Sequence, residues 1–114
     1  MKYMLLIMNG DTKNPTPKEP DYPAIFAHFQ KLTDELQARG KFQHSARLRP
    51  PDEAKVIRVK GDRSTTVTDG PFSETKEQVG GYFLIECTSE GEALEWAKKF
   101  PPSFTVEVRQ VWEM

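Results

Sequence analysis

Residues 3 to 8 read YMLLIM, six apolar side chains in succession, and Asn9-Gly10 ends the run. So short a segment is a poor helix, and its unbroken apolar character suits a strand covered on both faces rather than one with a wet side. Leu5 and Ile7 fall on one face, Leu6 and Met8 on the other. Residues 82 to 85, YFLI, behave in the same way. Any fold for this chain must therefore supply two covers for the sheet that holds these strands.

Two helices are legible. Ile25, Phe29, Leu32 and Leu36 recur at helical spacing, Asp21 offers a cap just upstream, and Gly40 closes the run. Ser89 and Glu92 stand at capping-box spacing ahead of Ala93, Trp96, Ala97 and Phe100, and Pro101-Pro102 stops that second helix. Between the helices, residues 44 to 49 predict a short strand before Pro50-Pro51. Residues 55 to 60, KVIRVK, place Ile57 and Val59 opposite Arg58 and Lys60, and a turn over residues 61 to 64 returns the chain as a partner strand over 65 to 68. Residues 81 to 88 and 104 to 112 supply two further strands. Residues 9 to 20, with Pro15, Pro17 and Pro20, predict a loop without regular structure.

The order is β, α, a hairpin with one more short strand, β, α, β, within a single domain spanning residues 1 to 114. That order predicts an α+β fold, a ferredoxin-like split β-α-β arrangement with an extra β-hairpin. Its two helices cover only one face of the sheet, so the second cover falls to another copy of the chain: the sequence predicts a homodimer packed sheet to sheet.

With 16 basic against 17 acidic residues, nothing in the charge favours nucleic acid or an anionic membrane surface as a partner. The apolar start is too short for a transmembrane helix or the core of a signal peptide, which predicts a cytoplasmic protein. Cys87, the single cysteine, reads as a buried bystander. His44 has no ligand-like partner at a recognised spacing, HxxxH and CxxC are absent, and Gly80-Gly81 precedes a strand instead of following one, so no metal and no nucleotide cofactor is expected.

The segment VTDGPFSETKEQVGGYF, residues 67 to 83, concentrates the remaining chemistry. Asp69 is a candidate acid or base, Lys76 a candidate anion anchor, and Glu74 or Glu77 a second carboxylate. The same residue types also make a turn: Asp69 caps it, Gly70 supplies permissive dihedrals, Pro71 ends pairing and Ser73 starts a helical turn. Glu107 and Arg109 share a strand face opposite Val106 and Val108, where they either bind a carboxylate or phosphate or form an ion pair fixing the interface. Tyr82 can bring its hydroxyl to the same cleft.

MKYMLLIM at the start, VTDGPFSETKEQVGGYFLIE in the middle, and EALEWAKKFP and VEVRQVWEM at the end resemble the DGPF branch of the YCII-related family over almost the whole chain. The resemblance implies a dimeric α+β barrel. It implies no set reaction, although members of the branch often neighbour sigma factors of the extracytoplasmic-function group. The chain departs from the pattern at Pro101-Pro102-Ser103-Phe104, where relatives have a Gly-rich connection, and at Gln110, where they have proline. Short YCII proteins carry a histidine and aspartate pair suggested as catalytic, and His28 lies in the corresponding first helix. The catalytic candidates are thus Asp69 and His28, and the ligand-binding candidates Arg109, Glu107, Tyr82 and Lys76. Two readings remain open: a small-molecule enzyme or binder with its site in the dimer cleft, or a noncatalytic accessory module that binds a protein partner.

Overall fold

The structure is a computed structural model and describes residues 1–9, 22–70, 78–102 and 104–113. Among these residues, six strands and two helices follow in the order β1 (Lys2–Asn9), α1 (Tyr22–Ala38), β2 (Phe42–Arg47), β3 (Lys55–Val59), β4 (Thr65–Asp69), β5 (Gln78–Glu86), α2 (Glu90–Ala97) and β6 (Thr105–Gln110), with a 3-10 turn at Pro51–Glu53. The four-stranded sheet runs β2-β5-β1-β6, every neighbour antiparallel, and β3 and β4 form a hairpin of their own. This is the ferredoxin-like α+β fold with an inserted hairpin.

Alternation along the strands decides which side chains meet the helices. Tyr3, Leu5 and Ile7 of β1 and Phe83, Ile85 and Cys87 of the β5 segment join Leu32 and Leu36 of α1 and Ala93, Trp96 and Phe100 near α2 in one buried cluster. Leu5, Leu36 and Ile85 are the largest fully buried side chains, each contributing about 1.5–3 kcal/mol by leaving water. Phe29 links the layers: its ring stands 6.0 Å from that of Phe83 and edge-on to Phe100 at 5.7 Å. Burial in this apolar core pushes the Cys87 thiol up, which makes it unreactive.

The helix ends follow local chemistry. Gly40, at φ 70°, ends α1 while Lys41 N–H donates to the Leu36 carbonyl and Gly40 N–H to that of Gln37, both orphan carbonyls of the last turn. Ser89 caps α2 by accepting from Glu92 N–H at 3.2 Å, and the Glu92 carboxylate reaches back to Thr88 N–H at 2.7 Å. Lys41 pairs with the same carboxylate and, with the Thr88 N–H, holds it at about 2, well below the usual carboxylate range. One cluster thus locks the entry to α2 onto the turn before β2. The upstream cap expected at Asp21, most of the Pro-rich stretch, and the turn expected after Ser73 lie outside the described residues.

Two strands start well ahead of their expected positions. β2 starts at Phe42, two residues early, because Phe42 pairs with Ile85 and packs against the buried cluster. β5 starts at Gln78, three residues early, because β1 continues to Asn9 and provides a ladder partner past the irregularity between Ile7 and Met8. Backbone pairing outweighs the low strand preference of Gly80-Gly81.

Candidate functional site

The sheet face turned away from the helices carries two rows of side chains. One runs Ala46, Tyr82, Leu6, Glu107 across β2, β5, β1 and β6, and the next runs His44, Leu84, Met4, Arg109. The register sets both rows, since directly opposed residues share a face. Met4, Leu6 and Leu84 make an apolar centre, and no helix or strand among the described residues lies over it. Its two edges are polar.

On the β2 side, Tyr82 and His44 stack with ring centroids 5.6 Å apart, and Tyr82 Oη lies 2.7 Å from His44 Nδ1. When the phenol donates to Nδ1, the neutral imidazole carries its own proton on Nε2; a protonated ring donates to the phenol oxygen instead. The contact therefore serves either protonation state, as a proton-relaying pair requires. On the β6 side, Arg109 donates to Glu107 Oε2 at 2.8 Å, with the arginine side chain 70% exposed. It retains unused N–H donors for an anion.

The other candidates stand elsewhere. Asp69 ends β4 on the separate hairpin and accepts from Lys55 Nζ at 2.7 Å in an exposed pair at the hairpin base. His28 is exposed on α1, where Nε2 donates to the Lys99 carbonyl at 2.6 Å and ties α1 to the end of α2. Lys76, with Glu74 and Glu77, lies outside the described residues. The fold thus gathers Tyr82, Glu107 and Arg109 on one face, adds His44, and puts Asp69 on a different sheet. His44 was missed as a partner because its contact with Tyr82 spans 38 positions across an antiparallel ladder, a relation without a local signature. Among the described residues, no group of three His, Cys, Asp or Glu is placed to hold a metal ion, and no helix is long and apolar enough to cross a membrane.

A second concavity lies on the helix side. It is a cleft of about 420 Å³ between the first half of α1 and the β2–β5 edge of the sheet. Phe26, Phe29, Phe83 and Phe104 line it, with Gly81 and Arg47 on the sheet side.

The hairpin adds an exposed apolar surface. Ile57 faces Val67 across the β3–β4 ladder with Val59 beside them, each more than 60% exposed. At its tip Ser64 donates through both N–H and Oγ to Asp62, holding that carboxylate below its ordinary range.

The model of the YCII-related domain matches residues 1–114. An uncharacterized protein of Rhizobium meliloti (strain 1021) is 32% identical over 113 residues, covering 96% of this chain and 90% of that protein.

Proposed function

This chain belongs to the YCII-related family, and from that premise we propose that it works as a homodimer that binds a small molecule between two facing sheets. The observation that carries the reading is the apolar centre of Met4, Leu6 and Leu84, uncovered by any described element and framed by Tyr82–His44 and Arg109–Glu107. Apolar surface of this kind, rimmed by polar groups, is what an association face has. A two-fold axis through it brings each polar edge towards its counterpart on the other copy and encloses a cleft with ionisable groups at both ends. In that cleft Arg109 holds an anionic group of the ligand, and the Tyr82–His44 pair donates or takes a proton.

The exposed apolar side of the hairpin supports the same reading. Isolated two-stranded ribbons are marginal in water. Contact with a second copy would cover Ile57, Val59 and Val67 and hold the hairpin in place.

Native mass spectrometry of gently purified protein tests the proposal. The wild type runs as a dimer, Leu84→Glu as a monomer because each copy would bury a carboxylate at the centre of the face, and Arg109→Gln as a dimer that has lost any co-purified mass. A Leu84→Glu protein that stays dimeric would reject this face as the seam. A bound mass unchanged in Arg109→Gln would reject Arg109 as its anchor.

A further inference from the structure

We propose that the sheet face between Arg109–Glu107 and Tyr82–His44 receives a free α-amino acid with an aromatic side chain, its carboxylate on Arg109 and its ammonium on Glu107. The inference rests on the small-molecule reading above and names the chemical class of the ligand.

The head group follows from the way the two charges are paired. Arg109 and Glu107 are joined by one contact, from a guanidinium nitrogen to Oε2 at 2.8 Å, and both side chains are exposed. Among the described residues nothing else donates to the Glu107 carboxylate, so Oε1 keeps its acceptor sites and the guanidinium keeps most of its donors. A plain carboxylate set on Arg109 meets the repulsion of Glu107 beside it, and a plain amine set on Glu107 meets that of Arg109. A group that carries both charges on neighbouring atoms satisfies both partners and brings no net charge into the cleft. The head of an amino acid, with ammonium and carboxylate on one carbon, is such a group.

The ladder sets the body of the ligand. Arg109 stands opposite Met4, which stands opposite Leu84, and Glu107 stands opposite Leu6, which stands opposite Tyr82. Each charge thus leads through apolar residues towards the far edge. β6 and β5 are two strand spacings apart, about 10 Å. With the head group on β6, that span leaves Met4, Leu6 and Leu84 to carry a single ring. Met4 suits a ring, because its thioether is polarisable and its unbranched chain adapts to a flat surface.

The far edge selects the tip of the ring. Tyr82 Oη and His44 Nδ1 lie 2.7 Å apart, and the phenol and imidazole can exchange donor and acceptor roles. A ring hydroxyl on the guest finds a hydrogen-bond partner there, whereas a bare ring does not. Tyrosine is therefore favoured over phenylalanine. Every residue used lies between the Lys2–Glu86 and Leu6–Tyr82 pairs of the ladder or beside them on β2 and β6, so the site is built wholly from four described strands.

Titration of the isotope-labelled full chain, followed by amide shifts in NMR spectra, tests the site with L-phenylalanine, with phenylpropanoate, which lacks the ammonium, and with phenethylamine, which lacks the carboxylate. Phenylalanine shifts the amides of Met4, Leu6, Leu84, Glu107 and Arg109, and each analogue binds about tenfold more weakly. Glu107→Gln and Arg109→Gln are exposed changes that leave the buried cluster intact. In Glu107→Gln phenylalanine falls to the affinity of phenylpropanoate, and in Arg109→Gln to that of phenethylamine. L-Tyrosine binds wild type more tightly than phenylalanine does, a preference lost in Tyr82→Phe. The proposal is overturned if phenylpropanoate binds wild type as tightly as phenylalanine, which would leave a plain anion site on Arg109, or if none of the compounds moves these amides at millimolar concentration. The reading beneath it is tested apart: a dimer broken by Leu84→Glu, with a co-purified mass lost in Arg109→Gln but no uptake of phenylalanine, overturns the amino-acid class alone.

Discussion

Tyr82 on β5 and His44 on β2 are joined twice, by a 2.7 Å contact between Oη and Nδ1 and by ring stacking at 5.6 Å. The two bonds separate under mutation. Tyr82→Phe keeps the stack and removes the hydrogen bond, so unfolding in urea should show a loss of no more than about 1 kcal/mol. His44→Ala removes both and should cost more. If the pair moves a proton in the dimer cleft, Tyr82→Phe should also change the pH dependence of ligand uptake, whereas a purely structural contact would alter stability alone.

Glu92 ties acid sensitivity to the start of α2. Lys41 and the Thr88 N–H lower its pKa from 4.5 to about 2 in the folded chain. Because the folded value lies below the unfolded one, the stabilisation is complete above about 4.5 and is lost as the pH falls towards 2. Glu92→Gln should cost roughly 1–2 kcal/mol at neutral pH. The difference from wild type should shrink steadily below about pH 4.5 in paired urea titrations.

Gly81 cannot gain a side chain without spreading two strands. Its added Cβ would lie 2.8 Å from the Ala46 carbonyl oxygen, a backbone atom. Gly81→Ala should therefore destabilise by about 1–3 kcal/mol. Amide chemical shifts in NMR spectra should move most at residues 45–47 and 80–82, and unmoved shifts there would show that the ladder absorbs the methyl group.

Leu36 and His28 sit on the same helix with opposite consequences. Leu36 is fully buried, so Leu36→Ala should cost about 2–5 kcal/mol. His28→Ala removes one exposed bond to the Lys99 carbonyl and should cost about 1 kcal/mol or less. Thermal denaturation of the two variants side by side measures the contrast.

Much of the fold was legible because it rests on local pattern. The double apolar face of β1, the Ile25 to Leu36 stripe, the Gly40 stop and the Ser89–Glu92 cap all appear where spacing predicted them. The site was less legible because it depends on register. Glu107 and Arg109 could be assigned to one face from alternation within a single strand. Nothing local to His44 showed that it would meet Tyr82. Asp69 was drawn towards the site by its motif, whereas the hairpin it ends belongs to another sheet.

β1 occupies the middle of the sheet, yet both of its neighbours are made from the far end of the chain: Lys2 pairs with Glu86 and Tyr3 with Gln110. On the ribosome β1 emerges long before either partner and must wait, apolar on both sides, until β5 and β6 have been synthesised. Such long-range closure makes for slow folding and leaves a sticky segment exposed in the interim. The hairpin and α1 can form early from local contacts, but the four-stranded sheet is assembled last.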